Sequence, residues 1–210
     1  MNDKVAVVGA TTWGTTLAII LAQKNIPVTL LSRTSQEAEE LNLRRRHPRF
    51  LPEIAFPDNL AVSSDVEEAI ASAHLVIIAV PSDRFRQNVQ RICDCIPPGA
   101  IILSVAKGLE LPGGKRMSQV LEEELSPELH PGICVLSGPN FAKEILQGKP
   151  ASTVVAGQEP GKTEEAQAIL MSSSFRVYTS DDVVGVELGG ALKNVIALGA
   201  GIADGLGVGD

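Results

Sequence analysis

Residues 5–18 read VAVVGATTWGTTLA, an apolar run, a glycine turn and then a helix-forming stretch. The first four residues suit a strand buried on both faces, and Gly9 is the residue that a tight exit from such a strand requires. Gly9 and Gly14 take the first and third positions of the dinucleotide fingerprint G-x-G-x-x-G, while Thr11 stands at the middle one. In that pattern the middle glycine lets the backbone approach a pyrophosphate, and the N-terminus of the following helix offers amides and a positive dipole to the phosphates. A β-branched Thr11 crowds that approach, so the fingerprint draws its strength from context: a buried strand before it and a helix after it.

Outward from this turn, short β-branched runs alternate with helical patterns. Strands are expected at Lys4 to Val8, Val28 to Leu31, Leu75 to Val80, Ala100 to Ser104, Ile133 to Leu136, Thr153 to Ala156 and Phe175 to Tyr178. Helices are expected at Trp13 to Lys24, Gln36 to Arg45, Asp65 to Ala71, Asp83 to Cys95, Met117 to Leu125, Phe141 to Gln147 and Thr163 to Met171. Such alternation implies crossover connections and an α/β fold with a mostly parallel sheet covered on both faces. Pro48 to Pro57 and Pro112 to Lys115 read as loops. Near Ser180 the pattern changes to one long apolar helix followed by GLGVGD, so residues 1–180 are expected to form a dinucleotide-binding domain and 181–210 the opening of a helical one. Gly205, Gly207 and Gly209 follow a helix, not a strand, and are not a phosphate loop.

Composition narrows the class. A hydrophobic share of 44% over 210 residues suits a globular chain, and a formal charge of -7 argues against a nucleic-acid partner. The cluster Arg44, Arg45, Arg46 and Arg49 reads as a solvated loop. Cys93, Cys95 and Cys134 show no C-x-x-C, and His47, His74 and His130 are scattered, so no metal site is expected and the thiols read as reduced and cytoplasmic. The N-terminus shows no secretory leader pattern. Residues 183–203 are the one stretch long and apolar enough to span a bilayer, but Glu187, Lys193 and Asn194 would then lie in hydrocarbon, so a buried helix of a soluble enzyme is expected instead.

Lys193 carries one of only two charges in that stretch, VVGVELGGALKNVIALGAGIA. Lys193 either points its head to solvent from a half-buried helix or stands as a lone ammonium that needs a partner, a ligand or a lowered pKa, and the neighbours on its helical face, Gly190 and Gly189, leave room for a ligand or a facing backbone. At the end of the second strand, VTLLSRTS holds Arg33 and no acid; Arg33 is either an ordinary surface arginine or the partner of a 2′-phosphate, and the second reading favours NADP over NAD. Two loops follow strands on the ligand side of such sheets: SVAKGLE, with Lys107 beside Gly108, and LSGPNFAKE, where Gly138 and Pro139 lead into a helix whose first amides lie near Asn140 and Ala142. A lysine and a helix N-terminus on one rim make a seat for a phosphorylated substrate.

GATTWGTTLA, AVPS, SVAKGLE, LSGPNFAKE and GVELGGALKNVIALGAGIADGLG, in this order, resemble the bacterial NAD(P)-dependent glycerol-3-phosphate dehydrogenases over essentially the whole chain. The resemblance implies a Rossmann-like doubly wound fold and the cytoplasmic reduction of dihydroxyacetone phosphate to sn-glycerol 3-phosphate for phospholipid synthesis. The fingerprint already assigns Gly9 and Gly14 to the cofactor; the resemblance implies that Thr12, Trp13, Arg33 and Phe50 serve it with Ala142 near it, that Lys107 touches cofactor and substrate, that Gly138 and Asn140 contact substrate, and that Lys193 is the general acid/base. Members of the family carry a further helical domain with an acidic partner for that lysine and an arginine-asparagine pair for the substrate phosphate. The 210-residue chain is therefore expected to bind cofactor and to turn over poorly, and its apolar last helix to self-associate, a homodimer being the simplest case. The competing readings are a non-catalytic NADP-binding module and a related dehydrogenase of small hydroxy acids.

Overall fold

The structure is a computed structural model and describes residues 4–208. Its strands are β1 (Val5–Val8), β2 (Val28–Leu31), β3 (Arg46–His47), β4 (Leu51–Ala55), β5 (Leu60–Ser63), β6 (Leu75–Ile78), β7 (Ile101–Ser104), β8 (Ile133–Ser137), β9 (Ala151–Gly157) and β10 (Phe175–Ser180). The helices are α1 (Thr12–Gln23), α2 (Ser35–Arg44), α3 (Val66–Ile70), α4 (Phe85–Ile92), α5 (Met117–Glu124), α6 (Ala142–Leu146), α7 (Pro160–Leu170) and α8 (Val183–Gly205).

Eight strands form one sheet in the order β10-β9-β8-β7-β6-β1-β2-β5. Its six-strand part, β5-β2-β1-β6-β7-β8, is parallel throughout and has the doubly wound order 3-2-1-4-5-6, whose switch point falls between β1 and β6. Strand periodicity of two splits the core: Val5 and Val7 face one layer with Leu17 and Leu21 of α1, and Ala6 and Val8 face the other with Phe85 and Val89 of α4. Ile77, wholly buried, belongs to the first layer, and Ile77→Ala would cost about 2–5 kcal/mol.

The sheet is mostly parallel, as expected, with one reversal. β9 pairs antiparallel to β8, and β10 runs with β9. The strand missed in the sequence, β5, has only four residues and alternates buried with exposed, so it shows no apolar run. The stretch 48–57, expected as a loop, holds β4 in a two-stranded hairpin with β3; Pro52 and Glu53 mask it, and an edge hairpin tolerates both. α7 starts at Pro160, earlier than expected, because proline suits the first helical turn.

α8 departs most from expectation. Its first two turns lie on β8 and β9, where Val183 packs with Val135 and Ala156, but residues 192–202 are exposed. The helix is long and apolar enough to cross a membrane by length and composition, and it is not the buried helix expected. Of the three glycines in the closing stretch, Gly209 lies outside the described residues.

Candidate active site

The first turn is built as its glycines require. Gly9 has φ +107°, and a Cβ there would stand 2.8 Å from Val80 Cγ1 and 3.1 Å from the Ala79 carbonyl oxygen. A Cβ on Gly14 would overlap the Gly9 carbonyl and stand 3.0 Å from Ala79 Cβ, so Gly14 serves close packing of α1 on the sheet and does not line a cleft. Thr11 is extended (φ -83°, ψ 170°), a conformation open to any residue. Its hydroxyl accepts from the Gly14 amide at 3.1 Å and donates to the Ala79 carbonyl at 2.8 Å. The side chain thus caps α1 and ties it to the end of β6.

Thr12 and Trp13 open a cleft of about 410 Å³, shared with Val80, Lys107, Asn140 and Ala142. Trp13 meets Phe175 edge-on, ring centroids 6.4 Å apart. Its Nε1 and the Oδ1 of Asn140 are buried without partners among the described residues, so one donor and one acceptor stand unpaired in the same cleft.

A second cleft, of about 280 Å³, shares Thr11, Val80 and Pro81 with the first and is lined by Gly9, Arg33 and Phe50. Arg49, Arg84 and Arg91 join them there. Arg91 donates to the carbonyls of Ser64 (2.9 Å) and Ser32 (3.4 Å), and Arg49 stacks 5.1 Å above the Phe50 ring. Four guanidinium groups around one cleft favour an anion. The one carboxylate there, Glu37, accepts from the Arg33 amide at 3.0 Å.

The arginine cluster is therefore not one solvated loop. Arg44 pairs with Glu40, Arg45 clasps the carbonyls of Pro57 and Leu60, and Arg46 reaches Pro52; only Arg49 turns to the cleft. His47, read as scattered, is buried and holds the β3–β4 hairpin against the glycine turn. Its Nε2 meets the Ala10 carbonyl at 3.0 Å and must carry the proton, because a carbonyl only accepts. Nδ1 then accepts from the Phe50 amide at 3.4 Å, and the two rings lie 4.5 Å apart.

Lys107 follows β7 and is half-buried. Its ammonium donates to the Gly138 carbonyl at 2.8 Å, and burial first, then the charge of Lys193, pull its pKa below the ordinary lysine value. Gly138 packs against β9, where a Cβ would come 2.8 Å from the Ser152 carbonyl, and Asn140 donates to Thr153 Oγ1 at 3.2 Å. α6 is a bare turn of five residues, so the helix dipole expected to seat an anion near Asn140 and Ala142 is weak.

Lys193 lines a third cavity, of about 320 Å³, with Ser137, Gly138, Pro139 and Gly190. Gly190 does what its type suggested: a Cβ there would stand 2.5 Å from Ser137 Oγ, so α8 and β8 approach closely. Lys193 itself is exposed, the solvent-facing of the two readings its sequence left open. The buried charge of α8 is Glu187, whose side chain is 8% exposed and bonds to Arg116 and Ser118. Its signal in the sequence is the same as that of Lys193, a charge in an apolar helix.

Sheet order and clefts define a class: a doubly wound α/β protein with its ligand groove at the switch point, the arrangement of dinucleotide-binding proteins. Within that class, the chain belongs to the NAD-dependent glycerol-3-phosphate dehydrogenase family, matching its N-terminal description over residues 4–163 and its C-terminal one over 182–210. It is 49% identical over 209 residues to a glycerol-3-phosphate dehydrogenase (NAD(P)+) of Dehalococcoides mccartyi, covering 99% of this chain and 58% of that one. A relative of the same name from Pelotomaculum thermopropionicum is 45% identical over 210 residues, covering 100% and 60%. The crystal structure of glycerol-3-phosphate dehydrogenase from Coxiella burnetii superposes with a TM-score of 0.87 at 32% identity, over 99% of this chain and 63% of that one. The chain thus spans about three fifths of the length of these relatives.

Proposed function

We propose that the chain carries the cofactor-binding part of a cytoplasmic enzyme that reduces dihydroxyacetone phosphate to sn-glycerol 3-phosphate with NAD(P)H, for glycerophospholipid synthesis. Residues 1–180 are the dinucleotide domain in this reading, and 181–210 open the helical one. The observation that carries it is the convergence of the glycine turn, the Lys107 loop and the Gly138 loop on one rim of the sheet.

The residues present fit a dinucleotide. Gly9 lines the cleft in a backbone conformation that L side chains rarely adopt, and Trp13 Nε1 and Asn140 Oδ1 offer an unpaired donor and acceptor. Gly9, Thr12, Trp13, Arg33, Phe50, Lys107 and Ala142 would hold the cofactor, which supplies a hydride when bound. Arg33, Arg49, Arg84 and Arg91, with no acid at the tip of β2, favour NADP over NAD.

Lys107, fixed by the Gly138 carbonyl, sets a positive charge beside the substrate pocket, with Gly138 and Asn140 as its other contacts. Lys193 gives a proton to the substrate oxygen that gains negative charge; its N–H bond breaks, an O–H bond forms, and the amine is left neutral. A homodimer belongs to the same reading, and a clean monomer in size-exclusion chromatography would count against it.

Trp13, the only tryptophan, gives a local signal for titration with NADPH and NADH. A saturable change, tighter for NADPH, is expected. No change with either would overturn the proposal. Turnover of dihydroxyacetone phosphate undiminished by Lys193→Ala would remove Lys193 from it.

A further inference from the structure

Glu187 is a carboxylate taken almost wholly out of water, which is tolerated only where its oxygens are engaged. One oxygen accepts from the Ser118 amide at 2.8 Å; the other accepts from Arg116 Nη1 at 2.7 Å and Ser118 Oγ at 2.6 Å. Ser118 lies in the first turn of α5, whose amides have no partner within the helix and whose dipole favours an anion.

This carboxylate is the directional contact of α8. Val183, Val186, Glu187 and Gly190 share the face laid on the sheet, at spacings of three, four and seven. The two valines make apolar contacts and Gly190 offers a smooth surface, so these three permit the helix to turn or slide. Glu187, with three fixed bonds, does not. Lys193 stands only three residues past Gly190, about 4.5 Å along the axis, where α8 has left the sheet. A turn of about 20° would move atoms on the helix surface by roughly 2 Å.

The other end of the tether leads to Lys107. Residues 105–116 carry Lys107 near their start and Arg116 at their end. Between them Glu110 is clasped by Arg86, with both oxygens at 2.7 Å, and its amide donates to the Lys115 carbonyl at 2.9 Å. Glu187 therefore binds α8 to the segment that bears the other lysine of the rim.

We propose that Glu187 is a positioning residue, which fixes Lys193 relative to Lys107 through Arg116 and Ser118. Its importance for turnover rests on the proton-donor reading of Lys193; the positioning itself does not.

The test is a spin-label distance measurement on the 210-residue chain with Cys93→Ser and Cys95→Ser, labelled at Gln87→Cys in α4 and Val195→Cys in α8. The otherwise unchanged chain is expected to give one narrow distance distribution. Glu187→Gln is expected to broaden it about twofold or more, with far-UV circular dichroism unchanged, and Glu187→Asp to restore much of the narrowing. A Glu187→Gln distribution as narrow as that of the unchanged chain would overturn the proposal. Should Glu187→Gln fail to fold, Arg116→Met, which keeps both Ser118 bonds, decides: intermediate broadening supports the tether and none refutes it. In turnover assays Glu187→Gln is expected to lower kcat about tenfold or more with the KM for NADPH unchanged, as misplacement by an ångström or more would do. A broadened helix with unchanged kcat would keep the positioning and refute the role of Lys193.

Discussion

Replacing Thr11 separates two accounts of the first turn. Read as a fingerprint, Thr11→Gly restores the usual middle glycine and should only help. In the structure the hydroxyl accepts from Gly14 and donates to the Ala79 carbonyl, so removing it loses a helix cap and a cross-link to β6. A cap is worth about 1 kcal/mol and an ordinary hydrogen bond about another, so Thr11→Ala should destabilise by about 2 kcal/mol. That is roughly a thirtyfold rise in the unfolded-to-folded ratio. Thr11→Ser, which keeps the hydroxyl, should stay within about 0.5 kcal/mol, and Thr11→Val, which keeps the shape, should be as poor as alanine. Urea unfolding followed by far-UV circular dichroism measures all four chains. Stability of Thr11→Ala and Thr11→Val equal to the original, or a loss in Thr11→Ser as large as theirs, would refute the capping argument.

Arg33→Ala should weaken NADPH binding about tenfold to a hundredfold and leave NADH nearly unchanged, as measured by Trp13 fluorescence. Arg86→Met should make the protein less tolerant of acid: the hydrogen bond from Arg86 first holds the Glu110 carboxyl below 4.5, and Lys115, then Arg86, do the same for Glu123. Stability from a depressed carboxyl is present above its unfolded pKa and lost as pH falls through its folded one, so the midpoint of acid unfolding should move up in the variant. Burial pushes the Cys134 thiol up to about 12, leaving roughly one thiolate in ten thousand at pH 8, so a disulfide reagent should modify Cys93 and Cys95 in the native protein and Cys134 only on unfolding.

What the sequence made legible was local. Gly9 and Gly14 announce a turn because no other residue fits their backbone or their contacts, and Lys107 and Gly138 follow directly from apolar strand ends. The six-strand core was readable in most of its strands because strands buried on both faces are continuous apolar runs. What depends on distant contacts was hidden. Arg84 and Arg91 look like surface residues of an amphipathic helix until the sheet order brings that helix beside the tip of β2. The role of His47 needs Ala10, 37 residues away, and that of Glu187 needs Arg116, 71 away. Lys193 stands among apolar neighbours in sequence, whereas its surroundings in space depend on what packs on α8 beyond its first two turns.

The reversal of β9 and β10 decides which rim α8 reaches. Had these strands run with the other six, β10 would have ended at the ligand edge, and a helix laid back along β8 would have carried its later residues away from it. Because they run the other way, α8 climbs beside β8, from Val135 to Ser137, and arrives at the edge with Gly190. The stretch from Val183 to Lys193 therefore works as a ruler. An inserted residue ahead of the helix, at the exposed Asp181, would leave that measure intact, whereas one between Glu187 and Lys193 would swing the ammonium by about 100° without touching the sheet.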